Sequence, residues 1–240
     1  MTAQDNLYIN LLKKVLTGYD RLEYGEYKPL YQNHQEINNY VYMPLDKLVR
    51  MRKGYMICTK TEFDPELRKN GLDFPATAVS MIGLKRMDNI QYCVSEVVKN
   101  NVDGDLIETG VWRGGACIFM KAMLKVLNAE DRTVWVADSF EGLPEANTEK
   151  YAWDKGDKHH VFKELAVSKE QVMHNFEKYE LLDDKVKFLK GWFKDTLPTA
   201  PITKLAVLRL DGDMYESTMD GLVNLYPKVS VGGYIIVDDY

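Results

Sequence analysis

Four aspartates stand in two short groups late in the chain, Asp211 and Asp213 in LRLDGDMY and Asp238 and Asp239 in IIVDDY. Each group follows a run of aliphatic residues that reads as a strand ending at the acids. In an open α/β sheet, ligands sit beyond such strand ends. Carboxylates a few ångströms apart repel one another unless a cation joins them. A hard divalent ion with oxygen ligands, Mg2+ above all, answers that, so Asp211, Asp238 and Asp239 are the expected metal ligands. Such an ion lowers the pKa of a bound hydroxyl and holds its oxygen in line with an electrophile. A carboxylate already on the metal is a weakened base, so Asp213 is the first candidate to take the proton and Asp211 the second. The simpler alternatives are that Asp213 caps the next turn and that Asp239 points to solvent, since adjacent strand residues face opposite ways.

A second group surrounds residues 105–116, DLIETGVWRGGA. A strand reaching Glu108 turns through Gly110, Gly114 and Gly115 into an apolar helix. Glycine lets backbone approach a ligand closely, and a helix N-terminus offers free amide donors. The order G-x-x-x-G-G departs from the G-x-G-x-x-G dinucleotide fingerprint. An acid before the turn suits a cofactor bearing an ammonium group; a ligand-free βα turn is the plain alternative. Asp138, with Ser139, ends the strand-like 133–140, where a doubly wound sheet presents a carboxylate to ribose hydroxyls. Asp138 capping its own turn is the competing assignment. The histidines are isolated or lie in a polar loop and fit catalysis less well.

These residues need a scaffold. Residues 6–16 place Leu7, Leu11, Leu12, Val15 and Leu16 on one helical face ended by Gly18. Residues 19–70 have weak periodicity and read as a cap of no definable elements. Helices are expected at 84–100, with Met87, Ile90, Val94, Val97 and Val98 inward, at 118–127 and at 169–179. Strands are expected at 105–109, 133–140, 186–191, 205–210 and 233–237. Ser217 and Asp220 resemble a capping box that starts a last helix before Pro227. Residues 144–168 form a long polar loop of the kind that covers a site. Alternation of strand and helix predicts a doubly wound, mostly parallel α/β sheet, with residues 1–80 as an N-terminal cap and 81–240 as the core.

Composition narrows the class. With 240 residues, 45% of them apolar, the chain suits one large domain. Its net charge of -5 comes without any basic run, which argues against nucleic acid. No apolar segment is long enough for a membrane span or signal region. Three widely spaced cysteines fit a reducing, cytoplasmic setting. The amphipathic first helix makes a dimer the expected assembly.

The motifs DLIETGVWRGGA, ADSFEGLP, FLKGWFKDTLP, LAVLRLDGDMYESTMDGL and GGYIIVDDY, with MIGLKRMDN upstream, together resemble the macrocin O-methyltransferase family. The resemblance covers most of the chain. It implies a class I methyltransferase (Rossmann-like) fold, S-adenosylmethionine as donor, and Mg2+ held by Asp211, Asp238 and Asp239 with Asp213 as base. Glu108 and Asp138, with Gly110, Gly114 and Ser139, then serve the donor, near its methionine and ribose ends. The acceptor implied is a hydroxylated small natural product, above all a sugar in antibiotic biosynthesis. Similar proteins continue past the DDY motif with further strands, whereas this chain ends at Tyr240. A nicotinamide-dependent oxidoreductase and a catalytically silent cofactor-binding protein are the competing functions.

Overall fold

The computed structural model describes residues 1–21, 26–29 and 39–238. Asp239 lies outside them. Helices are α1 (Ala3–Thr17), α2 (Asn39–Arg50), α3 (Pro65–Asn70), α4 (Gly83–Lys99), α5 (Gly115–Val126), α6 (Lys169–Lys178), α7 (Phe193–Thr196) and α8 (Tyr215–Leu225). Strands β1 (Glu26–Pro29) and β2 (Cys58–Thr61) form a small antiparallel pair within the region that lacked readable periodicity. The main sheet is parallel, in the order β5-β4-β3-β6-β7, from β3 (Asp105–Thr109), β4 (Val134–Asp138), β5 (Val186–Lys190), β6 (Leu205–Leu210) and β7 (Val229–Val237).

The order explains where a site belongs. The chain runs outward from β3 through β4 to β5, then returns to lay β6 on the other side of β3. This reversal opens a crevice beyond the carboxyl ends of β3 and β6. All six residues of β6 are buried, and four of five in β3, as expected for strands covered on both faces. Ile107, Trp135, Leu208 and Leu225 belong to the core on the α8 side. The opposite face is filled by α1, α4, α5 and α6, through residues such as Ile9, Ile90, Phe119 and Phe176. The inward residues of α4 are those its periodicity predicts, with Met87, Ile90, Val94 and Val97 buried.

Two local expectations are corrected. The face α1 buries carries Ile9, Leu12 and Leu16, while Leu7 and Leu11 are exposed. A stripe that begins at Leu7 is rotated from the one the neighbouring helices cover. The last helix begins at Tyr215, ahead of the Ser217–Asp220 pair, and its N-cap residue Met214 supplies no side-chain hydrogen bond. Its free amides are met from elsewhere, as described below.

Candidate functional site

A cavity of about 310 Å³ lies at the reversal of strand order. Glu108, Gly110, Asp138 and Ser139 line it from the β3 and β4 ends, and Asp211 and Asp213 from the β6 end. Six of the residues singled out by sequence therefore share one space. Gly114 and Asp238 are not among the lining residues. Its size falls at the small end of ordinary ligand pockets.

The glycines of the turn are demanded by the protein itself. Gly110 has φ 84°, and a Cβ there would overlap the carbonyl oxygen of Asp211. Gly114, at φ 83°, begins α5, and a Cβ on it would lie 2.7 Å from Val172 Cγ1. Gly115 is pressed against the backbone of Val79 and Ser80. The close approaches that require glycine are thus chain to chain, at all three positions.

Asp138 fastens the turn. Its Oδ2 accepts from the Val111 N–H at 2.8 Å and its Oδ1 from the Phe140 N–H at 2.7 Å. Burial raises its pKa above the usual carboxylate value, against the lowering effect of those amides. The capping role is real, and the cavity-facing position leaves the carboxylate further acceptor sites. Ser139 Oγ donates to the Gly142 carbonyl at 2.6 Å and roots the segment that follows.

The acids at the strand ends meet a cation that the sequence reading overlooked. Arg209, fully buried in β6, pairs with Glu108, with Asp211 at 2.5 Å and with Asp238 at 2.6 Å. Arg86, from α4, holds the second oxygen of Asp238 at 2.5 Å. The repulsion that pointed to a divalent ion is therefore largely answered by two guanidinium groups. Three carboxylates face two cations, and among the described residues no group of three or more His, Cys, Asp or Glu side chains is arranged to hold a metal. One signal was available: an arginine inside the apolar run LAVLRL must be paired if that strand is buried.

Glu108 is equally enclosed, and the Cys117 thiol on α5 donates to its Oε2 at 3.0 Å. Burial pushes the Glu108 carboxyl up to about 7; Arg209 opposes this, and Asp211 and Asp238 add to it. Burial likewise raises Asp238, with Arg209 and Arg86 opposing and Asp211 reinforcing. On Arg209 burial works downward, but Asp211, Glu108 and Asp238 outweigh it and keep the guanidinium charged. Asp213 stands on the cavity wall with φ 58°, a left-handed conformation that aspartate tolerates better than most residues.

Residues 144–168, expected as a long polar loop, contribute to the cavity wall near both their ends. Leu143, Pro144, Asn147 and Leu165 reach its lining. The Trp112 indole, next to the glycine turn, donates to the Glu164 carbonyl at 2.9 Å. Trp192 and Phe193, after β5, also line the cavity. They were not singled out by sequence, where they stand only within the motif FLKGWFKDTLP.

Comparison with known proteins gives one consistent family. Residues 5–240 match the family model of macrocin-O-methyltransferase (TylF). Demethyldecarbamoylnovobiocin O-methyltransferase of Streptomyces niveus is 52% identical over 223 residues, which cover 88% of this chain and 85% of that one. Mycinamicin III 3''-O-methyltransferase of Micromonospora griseorubida is 50% identical over 187 residues, 77% of this chain and 74% of that one. Among solved structures, the O-methyltransferase NovP superposes with a TM-score of 0.79 at 49% identity, over 98% of this chain and 84% of its own.

Proposed function

Since this chain belongs to the macrocin O-methyltransferase family and is an O-methyltransferase, we propose that it moves a methyl group from S-adenosylmethionine to a sugar hydroxyl on a small natural product. One observation supports this most: Gly110 and Asp138 share a single cavity with Asp211 and Asp213. Donor and acceptor need to meet in one water-poor space for a carbon to pass directly between them. Relatives named for methylating novobiocin and mycinamicin precursors support the acceptor class.

Each residue then has a task. Asp138 and Ser139 bind the donor's ribose end, and the wall from Glu108 to Trp112 its methionine end. When bound, the donor supplies an electrophilic methyl group on a sulfonium. Asp213 accepts the proton released by the acceptor hydroxyl. Trp192 and Phe193 offer aromatic faces to a sugar ring, and residues 144–168 exclude water.

Mg2+ dependence is part of the same proposal. Asp211 and Asp238 suit a hard ion in donor type and converge on one guanidinium, with Asp239 the third expected ligand. The ion would lower the pKa of the acceptor hydroxyl. A cluster with one carboxylate more than its cations retains some attraction for such an ion. Exposed Leu7 and Leu11 support a dimer through α1, and the free cysteines Cys58, Cys93 and Cys117 support a reducing compartment.

Transfer from labelled donor to a panel of glycosides, with Mg2+ or with chelator, tests the reading. Asp213→Asn should lower kcat by roughly 10²–10⁴-fold while donor affinity by calorimetry stays within error. Turnover unchanged in that variant would remove the base. Transfer unaffected by chelator, with no heat on Mg2+ titration that depends on Asp238, would remove the metal.

A further inference from the structure

Among the polar residues of the covering segment, Asp154 is the exception: it is 5% exposed, beside Trp153 at 81%. It ends a short 3-10 turn, Ala152–Asp154. Burying a carboxylate in a segment of this kind is costly unless it is hydrogen-bonded. Its partners are the first amides of α8, with Oδ1 accepting from Tyr215 N–H at 2.7 Å and Oδ2 from Glu216 N–H at 3.1 Å. No salt bridge to Asp154 occurs among the described residues. The helix has no side-chain cap of its own, so a residue 61 positions earlier supplies it. Both the open amides and the positive end of the helix favour a negative group there. The Tyr151 and Tyr215 rings reinforce the junction, with centroids 6.0 Å apart.

The same turn of α8 faces the cavity, through Glu216 and Ser217, immediately after Asp213. The covering segment is thus pinned at two places on opposite walls: Glu164 to Trp112 beside the glycine turn, and Asp154 to α8 beside the proposed base. We propose that Asp154 is a positioning residue for methyl transfer, a clasp that holds residues 144–168 over the acceptor half of the cavity and fixes the first turn of α8. It touches neither donor nor acceptor; it acts through the amides of Tyr215 and Glu216. Acceptor capture should depend on it more than the chemical step does.

This rests on the reaction proposed above, and the experiment separates the two. Asp154→Ala and Asp154→Asn are compared with the parent protein by amide hydrogen exchange, trypsin digestion, and KM and kcat for a glycoside whose free hydroxyl the parent protein methylates. In Asp154→Ala, exchange at Tyr215 and Glu216 should rise about tenfold, cleavage at Lys155 and Lys158 should quicken, and acceptor KM should rise about tenfold with kcat changed less than threefold. Asp154→Asn keeps one oxygen acceptor and should fall between; it carries the test if the alanine variant does not fold. Parental exchange and cleavage in both variants overturn the clasp, as does a fall in kcat at unchanged KM. A parent protein with the exchange pattern described but no transfer to any glycoside fails the reaction and leaves the clasp standing.

Discussion

Glu108 and Arg209 occupy the same register on adjacent parallel strands, so their side chains leave the sheet on one face and pair there in the core. The pair sits under α5, at the point where β3 and β6 part. Arg209 is the shared counterion of Glu108, Asp211 and Asp238, which makes it the hub of the acidic strand ends.

Arg209→Met should therefore be far worse than loss of an ordinary surface charge. Removing it takes the guanidinium from Glu108 and Asp211 while Arg86 still holds Asp238, and breaking a buried ion pair in this way costs about 3–5 kcal/mol. Urea unfolding followed by circular dichroism measures it. A loss under about 1 kcal/mol would show that the carboxylates are satisfied without Arg209.

Stability should fall as pH rises through neutrality. Glu108 has a folded pKa of about 7 against an ordinary value of 4.5, so the folded state holds its proton more tightly than the unfolded one. The resulting stabilisation is complete below about 4.5 and is lost as pH climbs through about 7. Arg209, Asp211, Asp238 and the Cys117 thiol all face this carboxyl. Glu108→Gln should flatten the decline between those pH values; an identical slope in the variant would assign it to other groups.

Gly110→Ala should destabilise by more than the ~1–2 kcal/mol that a left-handed backbone costs an ordinary residue, because its Cβ would also overlap the Asp211 carbonyl. The melting temperature checks this. A variant within 1 kcal/mol of the parent would mean that the β6 end yields readily.

Asp138→Ala should cost about 2 kcal/mol by orphaning the Val111 and Phe140 amides. It should also weaken donor binding by calorimetry. Stability lost with donor affinity intact would leave Asp138 a cap alone.

The positions of the strands along the chain and the gathering of Glu108, Asp138, Asp211 and Asp213 at one end of the sheet were legible because each rests on a local pattern: an apolar run that leads to an acid. Arg209 was not seen because its partners come from β3, β7 and its own strand end, and nothing within LAVLRL names them. Asp154 lies in a polar loop and serves a helix 61 positions away, with no local mark of that task. The turn glycines were recognised as sites of close approach, but sequence does not say what approaches. The hairpin-like pair β1 and β2 joins strands separated by α2, so no short turn announces it.

The contact between the Gly110 turn and the Asp211 carbonyl bears on how this enzyme can diversify. Main chain touches main chain where the turn after β3 meets the end of β6, leaving no side chain at that seam to lengthen or trim. New acceptors are then to be accommodated by remodelling residues 144–168 and the cavity-facing turn of α8, while the distance across the seam is inherited unaltered.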